Sequence, residues 1–485
     1  MQNLKNYLEK IEEINYIIKV LEWEINTALP SSSFKYVTTL KNKYDLELYK
    51  LQTSREYKDI LNEVIKSKGF EKLSEPEKRH ILSLQNEYKK LKKIPKKFYK
   101  DFMKLKDDSS TAYLEAKKQK DYKIFKPYLK KLVDYSIKYY CYNNLSNSNI
   151  YDLMLSSYEE GLNTKMLDNL FNSLKEQLLP LIKKQKKKKL KEIKYNLDND
   201  TLLNVSKYLL EYIGLDTSKC ALGIFTHGYT CKFNNEEVRI AFPKTENIIE
   251  HFLTVIHEGG HALYELNISN KLKAFPYYEI NKNAVHEMIA RFYENTLARN
   301  KYFWTPIYKD IKKIIKEDLS LKDLIKHLSY SHPSLIRTGA DELTYPIHII
   351  IRYEIEKDLF NGKINVEDLP DIWNQKYKEY LGVEPKDDAE GILQDIHWSD
   401  ASFGYFPSYL AGTIFDAMLL EKIEEDLGST NKLLKKNKIN EITNYLKDNV
   451  FKYGSTYNIN ELSNRIRNKD LDSESLTKYL MKKYE

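Results

Sequence analysis

Apolar residues recur at three- and four-residue spacing along most of this chain, which is the pattern of helices that bury one face. One such stripe consists of Phe171, Leu174, Leu178 and Ile182. Breaks between long helical segments in the first two hundred residues are predicted at prolines such as Pro30, Pro76, Pro95 and Pro127. The pattern therefore predicts a mainly α-helical protein.

One stretch departs from the helical pattern. Residues 223–242 contain two alternating runs that are rich in β-branched and aromatic residues. The polar residues Asn234, Asn235 and Glu236 separate these runs. We expect a β-hairpin or a small sheet near residues 223–242, inside an otherwise helical protein.

The composition is that of a folded chain with a surface of mixed charge. Hydrophobic residues make up 42% and charged residues 31% of the 485 residues, so a sizeable core can be buried. The 78 basic and 70 acidic side chains leave a net charge of only +8. The basic block at residues 183–194 is typical of a solvated helix end and loop. The alternative is a phosphate-binding patch, but no nucleic-acid module surrounds the block, so we expect no nucleic-acid partner.

Cysteine use and hydropathy indicate a cytoplasmic protein. The three cysteines, Cys141, Cys220 and Cys231, form no CxxC pair. Their odd number argues against a disulfide framework and against a cysteine zinc ribbon. The first twenty residues carry charges throughout and lack the apolar core of a signal peptide. No stretch approaches the roughly 18 to 20 apolar residues that cross a bilayer, so we expect no membrane partner.

The candidate chemistry lies in the middle of the chain, where nine of the ten histidines fall between His227 and His397. Within this region, residues 257–261 read His-Glu-Gly-Gly-His, an HExxH motif. On a helix, His257 and His261 share a face and can bind one zinc ion. Glu258 then lies beside the metal and can accept a proton from water. The alternative is a pair of surface histidines on an ordinary helix.

The two glycines inside the motif are informative because each costs a helix roughly 1 kcal/mol relative to alanine. They are expected where another backbone or a substrate approaches the helix closely. The sheet predicted at residues 223–242 comes immediately before this helix, so we expect the sheet to border the site.

A catalytic zinc usually has a third protein ligand and an open position. We assign Glu287 as this ligand, on a second helix that returns antiparallel after a turn at Pro276. His286 is the alternative, but neighbouring residues on a helix point about 100° apart, so only one of them can face the metal. Glu294 lies two turns further along the same face. It is either an orienting partner for a ligand histidine or an ordinary surface acid.

Four ordered motifs resemble those of the carboxypeptidase Taq family of metallopeptidases. HEGGHALYE at residues 257–265 is similar to the zinc helix of that family. His286-Glu287 represents the HES/GQ motif. IRTGAD at residues 336–341 fits IRxxAD, and GILQDIHW at residues 391–398 fits GxxQDxHW, with FGYFPSY following at residues 403–409.

Three motifs depart from the pattern of that family. Its HPF motif is His227-Gly228-Tyr229 here, and its DxRxT motif is Glu237-Val238-Arg239-Ile240-Ala241. Met288 and Ile289 replace the usual pair after His286-Glu287. The first two departures lie in the predicted sheet, so the substrate-binding edge is where a difference in specificity is expected.

The resemblance implies a two-lobed helical metallopeptidase with a deep central groove, of the neurolysin and angiotensin-converting-enzyme type. It implies one zinc ion per chain, with Co²⁺ or Mn²⁺ as possible substitutes, and usually a homodimer. It also implies removal of single residues from peptides with a free C-terminus. We expect one domain, with helices over about 1–215, the zinc site within about 216–425 and further helices over about 426–485.

The remaining site residues follow from the motifs. Tyr405 and His397 are candidate donors to the oxyanion, and Tyr409 is a candidate substrate contact. Arg337 is the candidate anchor for the substrate carboxylate, although it could instead pair with Asp341 one turn later. The other candidate substrate contacts are His227 and Arg239, with Arg239 held in reserve for the anchor. Gln394 and Asp395 could either line or brace the site.

Two other functions remain open from the sequence. An endo-acting oligopeptidase on the same scaffold would need no carboxylate anchor. A catalytically decayed, peptide-binding homologue is the second alternative, because of the departures at Gly228, Glu237, Met288 and Ile289.

Overall fold

The computed structural model describes residues 1–143, 148–185, 190–225, 227–275 and 283–485. The helices before the sheet are α1 (Gln2–Asn26), α2 (Phe34–Gln52), α3 (Arg55–Lys66), α4 (Lys68–Glu71), α5 (Glu75–Lys92), α6 (Lys96–Gln119), α7 (Tyr122–Cys141), α8 (Ile150–Tyr158), α9 (Thr164–Lys184) and α10 (Asn199–Tyr212). The strands are β1 (Cys220–Phe225), β2 (Tyr229–Asn234) and β3 (Glu237–Pro243). The helices between the sheet and residue 360 are α11 (Ile248–Leu266), α12 (Asn270–Lys273), α13 (Asn283–Arg291), α14 (Lys301–Trp304), α15 (Tyr308–Ile315), α16 (Leu321–Leu328) and α17 (Tyr345–Phe360). The last helices are α18 (Leu369–Leu381), α19 (Phe406–Leu427), α20 (Thr430–Lys435), α21 (Ile439–Asn449), α22 (Ile459–Arg467) and α23 (Glu474–Tyr484).

The predicted mainly α-helical fold is confirmed, and the apolar stripes form its core. The stripe on α9 is fully buried, with Phe171, Leu174, Leu178 and Ile182 each at most 1% exposed. Helices of this length depend on such tertiary burial more than on intrinsic propensity.

The predicted breaks hold at three prolines and fail at the fourth. Pro30 separates α1 from α2, Pro76 lies in the first turn of α5, and Pro95 precedes α6. Pro127 was predicted to break a helix, but it lies inside α7. Helix α7 continues because the loss of one backbone hydrogen bond is offset by its buried face, which includes Leu129 and Leu132.

The predicted hairpin is incomplete, because the region forms three strands. The hairpin itself joins β2 and β3, which pair antiparallel around the predicted polar turn. Strand β1 is an additional strand that pairs parallel to β3, so the strand order is β1-β3-β2. Parallel strands are not joined by a short turn, so no turn signal in the sequence predicts this pairing. Strand β2 is therefore an edge of the sheet, and helix α11 packs against both β2 and β3.

Two separate packing centres support the expectation of two lobes. Helices α1, α3 and α5 surround their own core, which includes Tyr7, Leu61 and Ile81. The larger core runs from α6 to α23 and contains both α11 and α13. Between the two, Trp23 of α1 packs against Phe233 of β2, so the sheet is contacted from the N-terminal side as well.

The basic block begins at the end of α9, as expected, and residues 190–194 lie outside helices and strands; residues 186–189 lie outside the described residues. In the part of the chain that the structure describes, every helix is too short or too polar to cross a membrane.

Candidate metal centre and active site

Helix α11 presents His257 and His261 on one face. The helix begins at Asn247, whose side chain accepts a hydrogen bond from the backbone N–H of Glu250. The rings of His257 and His261 are 4.8 Å apart and nearly perpendicular, at 89°. This is the arrangement at positions i and i+4 that allows both imidazoles to reach one cation.

The expected close approach to the motif glycines is confirmed. A Cβ atom at Gly260 would lie 2.8 Å from Cα of Ala290, which is a backbone atom of α13. A Cβ atom at Gly259 would instead meet Leu210 of α10, at 2.5 Å. The glycine at position 260 therefore lets α13 pack directly on the ligand helix.

Helix α13 brings Glu287 to the two histidines. Glu287 Oε1 lies 3.9 Å from His257 Nε2, and Glu287 Oε2 lies 3.6 Å from His261 Nε2. One candidate ligand atom from each of the three residues lies within 4.8 Å of the others. A tetrahedral zinc site with bonds of about 2.1 Å places its ligand atoms about 3.4 Å apart. The three side chains therefore fit a zinc ion with little movement.

The neighbouring His286 has a different partner. Its Nε2 atom lies 3.2 Å from Glu265 Oε1, and its ring stacks on His261 at 4.3 Å. Since His286 meets residue 265 and Ala290, one turn later, meets residue 260, α13 runs antiparallel to α11, as predicted. The turn predicted at Pro276 lies outside the described residues. The geometry groups Glu287, rather than His286, with the two motif histidines.

The second predicted helix, which carries Glu287, is not regular throughout. After Arg291 it changes to a π-helical segment, Phe292–Ala298. This segment carries Glu294, whose Oε2 atom lies 2.9 Å from His257 Nδ1. Such turns are rare and occur often at functional sites. The structure favours Glu294 as an orienting partner rather than as an ordinary surface acid. Its carboxylate binds Nδ1 of His257 and leaves Nε2 of the same ring facing Glu287.

The electrostatics of the centre favour a cation. Burial lowers the pKa of His257, but the carboxylates of Glu287 and Glu294 more than offset this effect and raise it to about 9. Burial holds the pKa of His261 well below its usual range, which favours the neutral, ligating form. Arg291 Nε donates a hydrogen bond to Glu287 Oε1 at 3.0 Å. The field that attracts a proton to His257 would equally attract a metal ion.

Glu258 lies between this centre and the sheet. Its side chain is buried, with the residue 8% exposed. Burial raises the pKa of Glu258, and His257 and a hydrogen bond from Thr230 partly offset the rise. A carboxylate with a raised pKa is suited to accept a proton and release it again. The sheet therefore borders the site, as expected, although no motif pointed to Thr230.

The aromatic candidates lie against one another. The rings of Tyr405 and Tyr409 are 5.1 Å apart, and the His397 ring stacks on Tyr405 at 5.4 Å. Burial and the charge of Glu287 raise the pKa of Tyr405 to about 12, so its hydroxyl keeps its proton. Burial lowers the pKa of His397 to about 4, so its imidazole is neutral. Both groups can therefore donate a hydrogen bond without carrying a charge.

Glu356 fixes the loop that carries these aromatic residues, and sequence reasoning missed it. It is fully buried, and burial raises its pKa to about 7. Trp398 Nε1 donates to its Oε1 at 2.6 Å, while Gly404 N and Tyr151 Oη donate to its Oε2 at 2.8 and 2.9 Å. Two of these donors adjoin His397 and Tyr405. An acid in the middle of α17 gave no sequence signal of this role.

Arg337 lies beside the aromatic group, but it does not pair with Asp341. Its Nε and Nη2 atoms donate to Asp395 Oδ1 at 3.0 and 2.7 Å, and Nη1 donates to Tyr345 Oη at 3.2 Å. The alternative pairing assumed one helical turn, whereas Arg337–Gly339 forms only a short 3-10 turn. Asp341 instead accepts hydrogen bonds from Ser331 and nearby backbone N–H groups.

Of their two possible roles, Gln394 and Asp395 take the bracing one. Asp395 also accepts a hydrogen bond from Arg352 Nε at 2.7 Å. Gln394 Oε1 accepts from the backbone N–H of Arg337 at 3.0 Å and from Arg352 Nη2 at 2.8 Å. The two arginines are thus held at a common carboxylate.

The two other predicted substrate contacts lie on the sheet side. His227 is exposed and adjoins Gly228, which approaches Glu258. Arg239 donates from Nε to Glu237 Oε1 at 2.8 Å and stacks over Phe233 at 3.7 Å. The contacts of Arg239 are with the sheet rather than with the metal centre.

Two histidines of an HExxH helix, a carboxylate from an antiparallel helix and a buried glutamate beside them are the parts of a metallopeptidase. The family model described as "Carboxypeptidase Taq (M32) metallopeptidase" matches residues 3–484. The chain belongs to this family and is a metallocarboxypeptidase.

Named relatives match over nearly their whole length. Carboxypeptidase 1 of Bacillus subtilis is 35% identical over 98% of this chain and 96% of its own. Thermostable carboxypeptidase 1 of Pyrococcus furiosus is 28% identical over 100% of this chain and 98% of its own. A solved structure of Pyrococcus furiosus carboxypeptidase superimposes with a TM-score of 0.91 at 27% identity, covering 100% of this chain and 99% of the other.

Proposed function

We propose that this metallocarboxypeptidase uses zinc and removes single residues from the free C-terminus of peptides, with broad side-chain tolerance. The observation that carries this proposal is the placement of His257, His261 and Glu287 around one point, with Glu258 beside them. When bound by these three residues, a zinc ion would supply Lewis acidity and lower the pKa of water toward about 7. Co²⁺ or Mn²⁺ could substitute at a site with two nitrogen ligands and one oxygen ligand.

Glu258 would act as the general base. It would accept a proton from the attacking water at its carboxylate and later deliver that proton to the leaving amine. Burial and a raised pKa support both transfers. Tyr405 and His397 would donate hydrogen bonds to the oxyanion as charge develops there.

The substrate end would be held by Arg337 and Tyr409. The guanidinium of Arg337 lies 5.4 Å from the centre of the Tyr409 ring. Among the described residues, Asp395 and Tyr345 use three of its donors. A guanidinium has five N–H donors, so two are available for a terminal carboxylate. His227 and Arg239 are proposed as more distant contacts on the sheet edge.

Metal-reloading assays test this function. The metal-free protein should recover hydrolysis of a chromophoric, N-blocked dipeptide when one equivalent of zinc is added. Product analysis of a longer peptide should show residues released one at a time from its C-terminus. Cleavage of a C-terminally amidated peptide as fast as the free acid would instead favour the endo-acting oligopeptidase.

The Arg337→Ala variant should lose hydrolysis of free-acid peptides selectively. A hydrogen-bonded ion contact contributes about 1.5–3 kcal/mol, so kcat/KM should fall by about ten- to a hundredfold. Hydrolysis of the amidated peptide, measured in parallel, should change much less. An equal loss on both substrates would mean that Arg337 has only a structural role, through its ion pair with Asp395. The Arg239→Ala variant would then be measured next.

We further propose that the chain is a single domain, with helices over about 1–215, the metal site within about 216–425 and C-terminal helices beyond. The absence of a repeat or linker in the sequence supports this. A homodimer and a cytoplasmic location are also proposed. The homodimer rests on the family resemblance, and the location rests on the cysteine pattern; neither rests on a contact in the structure.

A further inference from the structure

Thr230 of strand β2 and Gly228, just before that strand, lie on two sides of the Glu258 carboxylate. Thr230 Oγ1 lies 2.5 Å from Glu258 Oε2. On the other side, a Cβ atom at Gly228 would lie 3.0 Å from Glu258 Oε1. One carboxylate oxygen therefore has a donor, and the other lies beside a residue without a side chain.

Thr230 must be the donor in this contact. An ionised carboxylate only accepts hydrogen bonds, and a threonine hydroxyl has one proton to give. A second acceptor, the backbone oxygen of Glu258, lies further away at 3.2 Å. The bond to the carboxylate is charge-assisted and is therefore strong. Since Glu258 is only 8% exposed, water has little access to replace it.

The strand holds Thr230 in a fixed position. Thr230 pairs with Ile240, a fully buried residue of the central strand β3. The preceding residue, Tyr229, stacks on Trp23 of α1 at 6.1 Å. Strand β2 is thus held between its neighbour β3 and the N-terminal helix, and its hydroxyl cannot easily follow a rotating carboxylate.

We infer that Thr230 is a positioning residue for the general base. This inference rests on the proposed role of Glu258. Thr230 fixes the rotamer of the Glu258 carboxylate through Oε2.

The Thr230→Val variant tests the donor directly. Loss of one charge-assisted bond should lower kcat by about ten- to a hundredfold. KM should change by less than about threefold, because the hydroxyl is bound to Glu258 rather than to the substrate. Metal content should be unchanged, since none of the three ligands contacts Thr230. The Thr230→Ser variant keeps the hydroxyl and should recover most of kcat.

A control is available at the start of the same helix. Thr245, just before α11, has its Oγ1 atom 3.4 Å from Oε2 of Glu250 in the first turn. The Thr245→Val variant removes an exposed hydroxyl–carboxylate contact outside the site, so its kcat should equal that of the wild type. Equal losses in Thr245→Val and Thr230→Val would overturn the inference, as would failure of Thr230→Ser to recover kcat.

The Glu258→Gln variant completes the test. Wild-type kcat in Thr230→Val, with Glu258→Gln inactive, would remove the positioning role and leave the general base in place. An active Glu258→Gln variant would remove both.

Discussion

The Glu258→Gln variant should bind metal as the wild type does and should lose nearly all turnover. A glutamine cannot accept and return a proton, and general acid–base catalysis contributes about 10²–10⁴-fold to the rate. We therefore expect kcat to fall by about a thousandfold. Single-turnover hydrolysis of a chromophoric dipeptide, combined with metal analysis of the same sample, measures both properties.

Glu250→Gln provides the matched control for this variant. Glu250 is an exposed acid in the first turn of the same helix, so the exchange removes one charge without touching the site. It should leave kcat and metal content unchanged. Turnover in Glu258→Gln within about tenfold of the wild type would exclude Glu258 as the base.

The Glu287→Ala variant should lose its metal and part of its stability. Removal of one of three protein ligands should weaken metal binding by at least about a hundredfold, more than the loss of an outer-shell partner does. The buried Arg291 would also lose its contact with Glu287 Oε1 and keep its ion pair with Glu294, so the loss should be that of one hydrogen bond between charged groups, about 1.5–3 kcal/mol. Dialysis against a chelator and thermal unfolding of the metal-free protein measure the two effects separately.

Glu287→Gln separates these two effects. Its amide oxygen can still accept the hydrogen bond from Arg291, so the metal-free variant should unfold at a higher temperature than Glu287→Ala. Both variants should bind metal weakly, because a neutral amide is a poor ligand for zinc. Full zinc content in Glu287→Ala would mean that another oxygen or nitrogen, such as His286, serves as the third ligand.

The local parts of the site were predictable because each helix shows its own pattern in the sequence. A helix around the HExxH motif was predicted, and α11 (Ile248–Leu266) is that helix. Glu287 was placed on a second, antiparallel helix, where it lies within 4 Å of both histidines. The glycine pair predicted a close neighbour, and α13 is that neighbour at Gly260.

Contacts between distant segments were less predictable. Arg337 was weighed against a partner four residues away, and the structure pairs it with Asp395, 58 residues away. Strand β1 was missed, because its partner is a parallel strand beyond the turn. The π-helical segment Phe292–Ala298 has an ordinary helical pattern in sequence, and packing around Glu294 and His257 accompanies the wider turn.

The sequence by itself determined the helical fold class and the pairing of His257 and His261 on one helix face with Glu258 beside them, because periodicity and short spacing fix which side chains share a face. It also placed Glu287 on a second helix. The tertiary structure alone decided what surrounds that centre: the hydroxyl of Thr230 on Glu258, the carboxylate of Glu294 on His257 and the three donors around Glu356. These contacts join segments that are far apart in the chain. Their geometry depends on how whole helices and strands pack, and no local pattern of residues specifies these contacts.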